Sequence, residues 1–224
     1  MKNIFALFCT LVYITDLVLF VPKYTRCKYD HTKRTKKLVW KGVCILLPLL
    51  ILMVGTGIDI FETGFELSKL LLVFGMMFCA VGDIVLEIRF TRGGVLFFLG
   101  HVVYIASLIL LQKEFKAITL IIYIMLASIG TFLTLTRLGK KHRFLLITYN
   151  ATISASFALS IPLIISGRPA NVLLGLGVSF LLISDWLLAR NKAYGSNYGW
   201  SLVSLLFYFG GQILISTYPL LSIL

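Results

Sequence analysis

An all-α, polytopic membrane helix bundle of about eight transmembrane helices is what the sequence predicts, and three observations carry that reading. Of 224 residues, 59% are hydrophobic and only 13% charged, with a mean hydropathy of +0.97. Apolar runs near the ~20 residues that a spanning helix needs recur along the whole chain. Those runs are continuous rather than alternating, which favours helices over barrel strands. A soluble domain of this size has too little polar surface to cover so much apolar side chain. The whole of 1–224 therefore reads as a single transmembrane domain.

The first run, Asn3–Val21, follows Lys2 as a signal peptide would. Asp16 interrupts it and no small-residue cleavage pattern appears before Pro22, so it is expected to stay as a span. The longest polar segment, Lys23 to Lys37, separates it from the second run, Leu38–Val54, which holds Pro48 and is expected to end at Gly55-Thr56-Gly57. Leu67–Ile88 and Gly93–Leu111 follow, with Gly93-Gly94 expected as the break between them. The remaining runs are Phe115–Leu135, Phe144–Ile165 with Pro162 inside it, Ala170–Ala189 after Gly167-Arg168-Pro169, and Gly199–Tyr218. Proline inside a span is tolerated where neighbouring helices satisfy the freed backbone.

The formal net charge of +12 raises nucleic acid as a partner, but the basic residues flank apolar spans instead of forming a patch. They fit membrane topology and anionic headgroups, so the expected partners are membrane lipids and not nucleic acid. Lys23, Arg26, Lys28, Lys33, Arg34, Lys36 and Lys37 follow the first span, Arg89 and Arg92 the third, Arg137, Lys140, Lys141 and Arg143 the fifth, and Arg190 and Lys192 the seventh. Opposite them stand Lys2, Lys69, Lys113, Lys116 and Arg168, with Asp59, Glu62 and Glu66. The positive-inside rule makes the odd-numbered connections cytoplasmic and leaves both termini outside, in a bacterial cytoplasmic membrane or an endoplasmic reticulum. Cys9, Cys27, Cys44 and Cys79 show no CxxC or zinc spacing, which points away from a disulfide framework and a thiolate metal site. Oligomeric state is not set by the sequence.

Within this apolar chain, Asp83 and Asp185 stand in similar frames, each with a phenylalanine five residues before it and a small residue, Gly82 or Ser184, immediately before it. An ionisable group in a membrane is costly enough to need a partner or a function. Depth along the spans places Asp16, Lys41, Asp83, Asn150 and Asp185 in the inner zone, with His101, Tyr208 and Gln212 somewhat deeper. Together they describe a polar cavity opening to the cytoplasm. The two aspartate frames lie on spans running in the same direction, which suggests a four-plus-four parallel repeat about an axis along the membrane normal.

At these residues the sequence resembles the YhhN family of integral membrane proteins, the lysoplasmalogenases. The matching pieces are Gly82-Asp83, Phe90-x-x-Gly93-x-x-x-Phe97-x-x-x-His101-x-x-Tyr104, Ser184-Asp185-x-Leu187-Leu188-Ala189, Tyr208-x-x-x-Gln212 and Lys41. Gly42 and Phe209 depart from the pattern, standing where a proline and a second tyrosine are expected. The resemblance implies hydrolysis of the vinyl ether bond of a lysophospholipid, lysoplasmenyl-ethanolamine or -choline, to a fatty aldehyde and a glycerophospho-headgroup. It makes Asp83 and Asp185 the catalytic pair. The candidates for binding substrate are Lys41, His101, Tyr104, Asn150, Tyr208 and Gln212, with Lys41 at the phosphate and His101, Tyr208 and Gln212 orienting water or acid.

The chemistry suits those residues. Protonating the β-carbon of a vinyl ether gives an oxocarbenium ion that water captures, and two carboxyl groups can divide that work as in glycoside hydrolysis. Which of them is acid and which is base stays open at this stage. No cofactor is expected. A catalytic zinc is not expected either, because the histidines are only His31, His101 and His142, two of them in loops. Simpler readings stand beside these: an interhelical hydrogen bond for His101 and Asn150, headgroup snorkelling for Lys41, an Asp16–Lys41 pair, and an interfacial place for Glu87. The rival function is a proton-coupled transporter of a small molecule or lipid using the same carboxylates.

Overall fold

The computed structural model describes residues 2–29, 34–112, 117–137, 143–195 and 197–222. His31, Lys33, Lys113, Phe115, Lys116, Lys140, Lys141 and His142 of the sequence reading lie outside them. The described elements are all helical. Helix α1 (Lys2–Thr15) passes through a π-helical segment (Asp16–Phe20) directly into α2 (Val21–Tyr29). Then come α3 (Arg34–Thr63), α4 (Leu67–Leu86), α5 (Phe90–Leu111), α6 (Ala117–Arg137), α7 (Arg143–Ile165), α8 (Pro169–Tyr194), α9 (Tyr198–Ser216) and the short α10 (Tyr218–Ser222).

Six of these segments are long and apolar enough to cross a membrane: Thr35–Thr63, Leu67–Leu86, Phe90–Leu111, Arg143–Ile165, Pro169–Asn191 and Tyr198–Ser222. Ala117–Leu133 adds a shorter apolar helix. Large apolar side chains face outward around the bundle, Phe61, Phe132, Ile121 and Val18 among them, while aspartate, lysine, serine and glutamine are buried within. A polytopic membrane bundle shows this inverted distribution because lipid solvates the apolar side chains and leaves polar groups to find one another inside.

Two expected breaks are absent. Helix α3 runs through Gly55-Thr56-Gly57 to Thr63, where Gly64 takes φ +96°. Gly55 is in the helix because it packs against α10, where a Cβ would lie 3.1 Å from the Leu220 side chain. Gly93 likewise sits in the first turn of α5, and a Cβ there would fall 2.6 Å from the Leu86 backbone. Both glycines serve close approach between helices, not chain reversal. The third expected break holds: Gly167 has φ +69° and Pro169 opens α8.

Packing follows an internal two-fold pattern. Helix α4 packs most extensively on α5, and α8 on α9; across the bundle α3 meets α9 and α7 meets α5. The glycines agree. A Cβ on Gly75 would meet Tyr104 at 2.6 Å and the Gly100 carbonyl oxygen at 3.2 Å, while one on Gly177 would meet Ile215 at 2.9 Å and the Gly211 carbonyl oxygen at 2.8 Å. Gly75 precedes Asp83, and Gly177 precedes Asp185, by the same number of residues. Nearer the aspartates, Gly82 faces Gly93, and Ser204 Oγ donates to the Ser184 carbonyl at 3.1 Å. Helices in lipid gain little from hydrophobic association, so backbone-to-backbone approach at small residues holds such pairs together. Gly177→Val is therefore expected to lower the thermal midpoint of the detergent-solubilised protein, at a cost of about 1–3 kcal/mol for overpacking. Gly57→Ala, which opens onto free space, should leave that midpoint unchanged or higher.

A cavity between two carboxyl groups

The two-fold pattern brings the C-terminal halves of α4 and α8 to one cavity of about 470 Å³. Asp83 and Asp185 both line it, and the two carboxyl groups interact electrostatically across it. Each lies four residues after a helix-contact position, Cys79 or Leu181, so α-helical periodicity turns it inward beside the α5 or α9 interface.

The partners of the two differ. Lys41 Nζ, 3% exposed as a residue, lies 3.2 Å from Asp83 Oδ1 and donates to the Asp83 backbone carbonyl at 2.8 Å. The same ammonium reaches Glu87 Oε1 at 3.2 Å, and Lys37 Nζ reaches Glu87 Oε2 at 2.6 Å. Tyr24 donates its hydroxyl to Glu87 Oε1 at 2.6 Å, and the Lys41 ammonium sits 5.7 Å from the Tyr24 ring centre. Burial alone pushes the Glu87 carboxyl up, but Lys41, Lys37 and the Tyr24 hydroxyl outweigh it and hold the group at about 2. Asp83 Oδ2 is buried with no hydrogen-bond partner among the described residues, and Tyr208 stands next to the same carboxyl.

Asp185 has a phenol for its partner. Tyr149, on α7, donates to Asp185 Oδ2 at 2.7 Å. Leu145 and Leu146 on the same helix as Tyr149, and Leu188 and Ala189 on the same helix as Asp185, line the cavity with them. One carboxyl group thus has an ammonium group against it, and the other has a neutral O–H donor in apolar surroundings.

Of the residues singled out from the sequence, Lys41, Asp83, Asp185 and Tyr208 line the cavity. His101, Tyr104, Asn150 and Gln212 do not. His101 is buried behind Tyr149, with ring centres 5.7 Å apart and Ser156 Oγ 3.5 Å from its Nδ1, so it supports the tyrosine that holds Asp185. Tyr104 donates to Gln212 Oε1 at 3.4 Å in a deeper layer, where Gln212 and Tyr208 border a cavity of about 10 Å³. Asn150 turns away to α6, donating to the Ala127 carbonyl at 3.2 Å and pressing on Gly130. Asp16 does not pair with Lys41, which is held by Asp83 and Glu87; its side chain is fully buried beside Cys44 in the π-helical segment.

Tyr24, Lys28, Glu87 and Tyr149 also line the cavity; the sequence reading took Lys28 for a topology signal and Glu87 for an interfacial residue and placed none of the four in the site. Glu87 carried a readable signal, since it lies one turn after Asp83 on the same helix face. Tyr149 carried none beyond its place next to Asn150.

Comparison with curated proteins and with solved structures finds no match. A family model described as the YhhN family matches residues 36–218, well over half of the chain and all of the helices that build the cavity except α2. The chain, with its paired aspartates on two-fold-related helices, belongs to the YhhN family.

Proposed function

We propose that this protein is a membrane-embedded hydrolase that cleaves the vinyl ether bond of lysoplasmalogens, releasing a fatty aldehyde and a glycerophospho-headgroup. The observation that carries the reading is the pairing of two carboxyl groups with unlike partners across one cavity. A carboxyl group with a cation against it serves as a lasting anion; one held by a neutral phenol in apolar walls serves as the acid. Asp185 accordingly gives its proton to the alkenyl β-carbon. Asp83 faces the resulting oxocarbenium ion, takes a proton from the attacking water and directs the oxygen to the α-carbon. The hemiacetal so formed breaks its C–O bond to the glycerol: Asp83 gives the proton it took from water to the departing glycerol oxygen, Asp185 takes the hemiacetal hydroxyl proton as the aldehyde forms, and both carboxyl groups return to their starting states with one water consumed. Lys41 holds Asp83 in place through both its carboxylate and its carbonyl. The same proposal sets the end of the bundle bearing Lys28, Lys37, Arg143 and Arg190 toward the cytoplasm.

The direct test is release of fatty aldehyde from 1-alkenyl lysophosphatidylethanolamine by the purified protein in nanodiscs. Release from the alkenyl lipid with none from its saturated alkyl ether is the expected result. Proton-linked uptake into proteoliposomes without aldehyde release would replace the hydrolase with a transporter. Tyr149→Phe removes the O–H donor at Asp185 and nothing else, and is expected to lower kcat about ten- to a hundredfold with KM little changed, on the order of the ~1.5–3 kcal/mol of a hydrogen bond to a charged group.

A further inference from the structure

Hydrolysis by two carboxyl groups leaves a third in the cavity unused. Glu87 lies one turn after Asp83 on α4 and lines the cavity with it. The vinyl ether chemistry gives it no step, yet it is closely partnered. Lys37 Nζ and the Tyr24 hydroxyl each stand 2.6 Å from it, and Lys41 Nζ 3.2 Å. Lys41 stands at the same 3.2 Å from Asp83 Oδ1, so one ammonium group is divided between two carboxylates. What else each carboxylate has sets the division. Glu87 has Lys37 and Tyr24, whereas Asp83 has Tyr208 beside it and an Oδ2 with no hydrogen-bond partner among the described residues. Tyr24 comes from α2, outside the residues 36–218 that the family model matches.

We propose that Glu87 is a positioning residue: it takes a share of the Lys41 charge and thereby keeps Asp83 basic enough to accept the proton of the attacking water. The shared contact is a matter of geometry; only the use of Asp83 as a base rests on the hydrolase reading. An ammonium group against a carboxylate favours its ionised form and makes it a poorer base, and a second carboxylate within about 6 Å opposes this. Two oxygens on one Nζ fall in that range. Held at about 2, Glu87 stays anionic across the neutral range and acts as a fixed charge, not as a proton carrier. The remaining titratable neighbours are Lys28 of α2, Cys44 of α3 and Cys79 of α4, with Tyr149 of α7, Asp185 of α8 and Tyr208 of α9 facing Asp83. Changing Glu87, Tyr24 or Lys37 alters none of these.

Asp83 acts as a base, so kcat/KM falls as the pH drops through its titration, and the high-pH limb belongs to the acid, Asp185. Glu87→Gln gives the whole of Lys41 to Asp83 and is expected to move the low-pH limb down by about one pH unit. Tyr24→Phe changes no charge. It makes Glu87 lean harder on Lys41 and is expected to move the same limb up, as is Lys37→Gln. In the Glu87→Gln background, Tyr24→Phe should have no further effect, because the carboxylate it acts through is gone. The high-pH limb should stay in place throughout. A residue that merely ties α2 to α3 and α4 would lower the thermal midpoint and leave both limbs still. The infrared band of the Asp83 carboxyl group, identified by its loss in Asp83→Asn, is titrated in nanodiscs without substrate and reads the same shifts apart from turnover. Opposite movements of that band in Glu87→Gln and Tyr24→Phe support the sharing; movement in one direction in both, or none in either, overturns it. Should Glu87→Gln fail to fold, upward movement in both Tyr24→Phe and Lys37→Gln supports it, and no movement in Tyr24→Phe overturns it. Band shifts in protein that releases no aldehyde leave the sharing standing and remove the hydrolase; aldehyde release with limb and band unmoved does the reverse.

Discussion

Asp185→Asn is expected to abolish aldehyde release, lowering kcat by about 10³-fold or more while KM changes little. The size follows from what is lost. General acid catalysis is worth about 10²–10⁴-fold, and an amide in place of Asp185 has no proton acid enough to give to carbon. The Tyr149 hydroxyl still has an oxygen to donate to, and no ion pair is broken, so the fold has little reason to change. Asp83→Asn should fall to a similar level for a different reason. It leaves the acid in place and removes the anion that faces the oxocarbenium ion and accepts the proton of water. Lys41 stays held by Glu87 and by the carbonyl of residue 83, so the variant is expected to fold. Because the two act in one transition state, the double variant should be scarcely slower than either single one. Turnover retained in Asp185→Asn, measured as aldehyde released per folded protein, would remove that residue from the chemistry.

Much of this arrangement was legible in the chain itself. Depth can be counted along a span, so the inner layer holding Lys41, Asp83 and Asp185 follows from position alone, and the matched frames of Asp83 and Asp185 foretell the two-fold packing of α4 on α5 and α8 on α9. Rotation about a helix axis is harder. In a helix apolar on nearly all sides the sequence gives no amphipathic stripe to show which face turns inward. Asn150 and Tyr149 are neighbours at one depth, yet one faces α6 and the other the cavity. The same uncertainty separates Tyr208, which reaches the cavity, from Gln212, a turn deeper in the protein core. Lys28 escaped because the polar stretch after the first span reads as a loop, whereas the π-helical segment lets one helix continue from Lys2 to Tyr29 and bring that lysine over the cavity.

At the far end of the bundle, Lys69→Met is expected to be the most destabilising single change among the charged residues. Asp59 on α3 is fully buried and forms an ion pair with Lys69 on α4, itself 3% exposed. Around the same carboxyl, Thr63 Oγ1 donates to Oδ1 at 3.2 Å and Ser222 Oγ on α10 at 3.4 Å. Removing one member of such a pair leaves a buried charge with only hydroxyl donors, a loss of about 3–5 kcal/mol, whereas replacing both members by apolar groups costs far less. Lys69→Met should therefore drop the thermal midpoint sharply, and Asp59→Leu combined with Lys69→Met should recover most of the drop. The turnover of whatever protein remains folded should be that of the parent, since this pair lies at the opposite end of α4 from Asp83. A double variant as unstable as the single one would mean that the pair's worth lies in the packing of α3, α4 and α10 and not in compensation of charge.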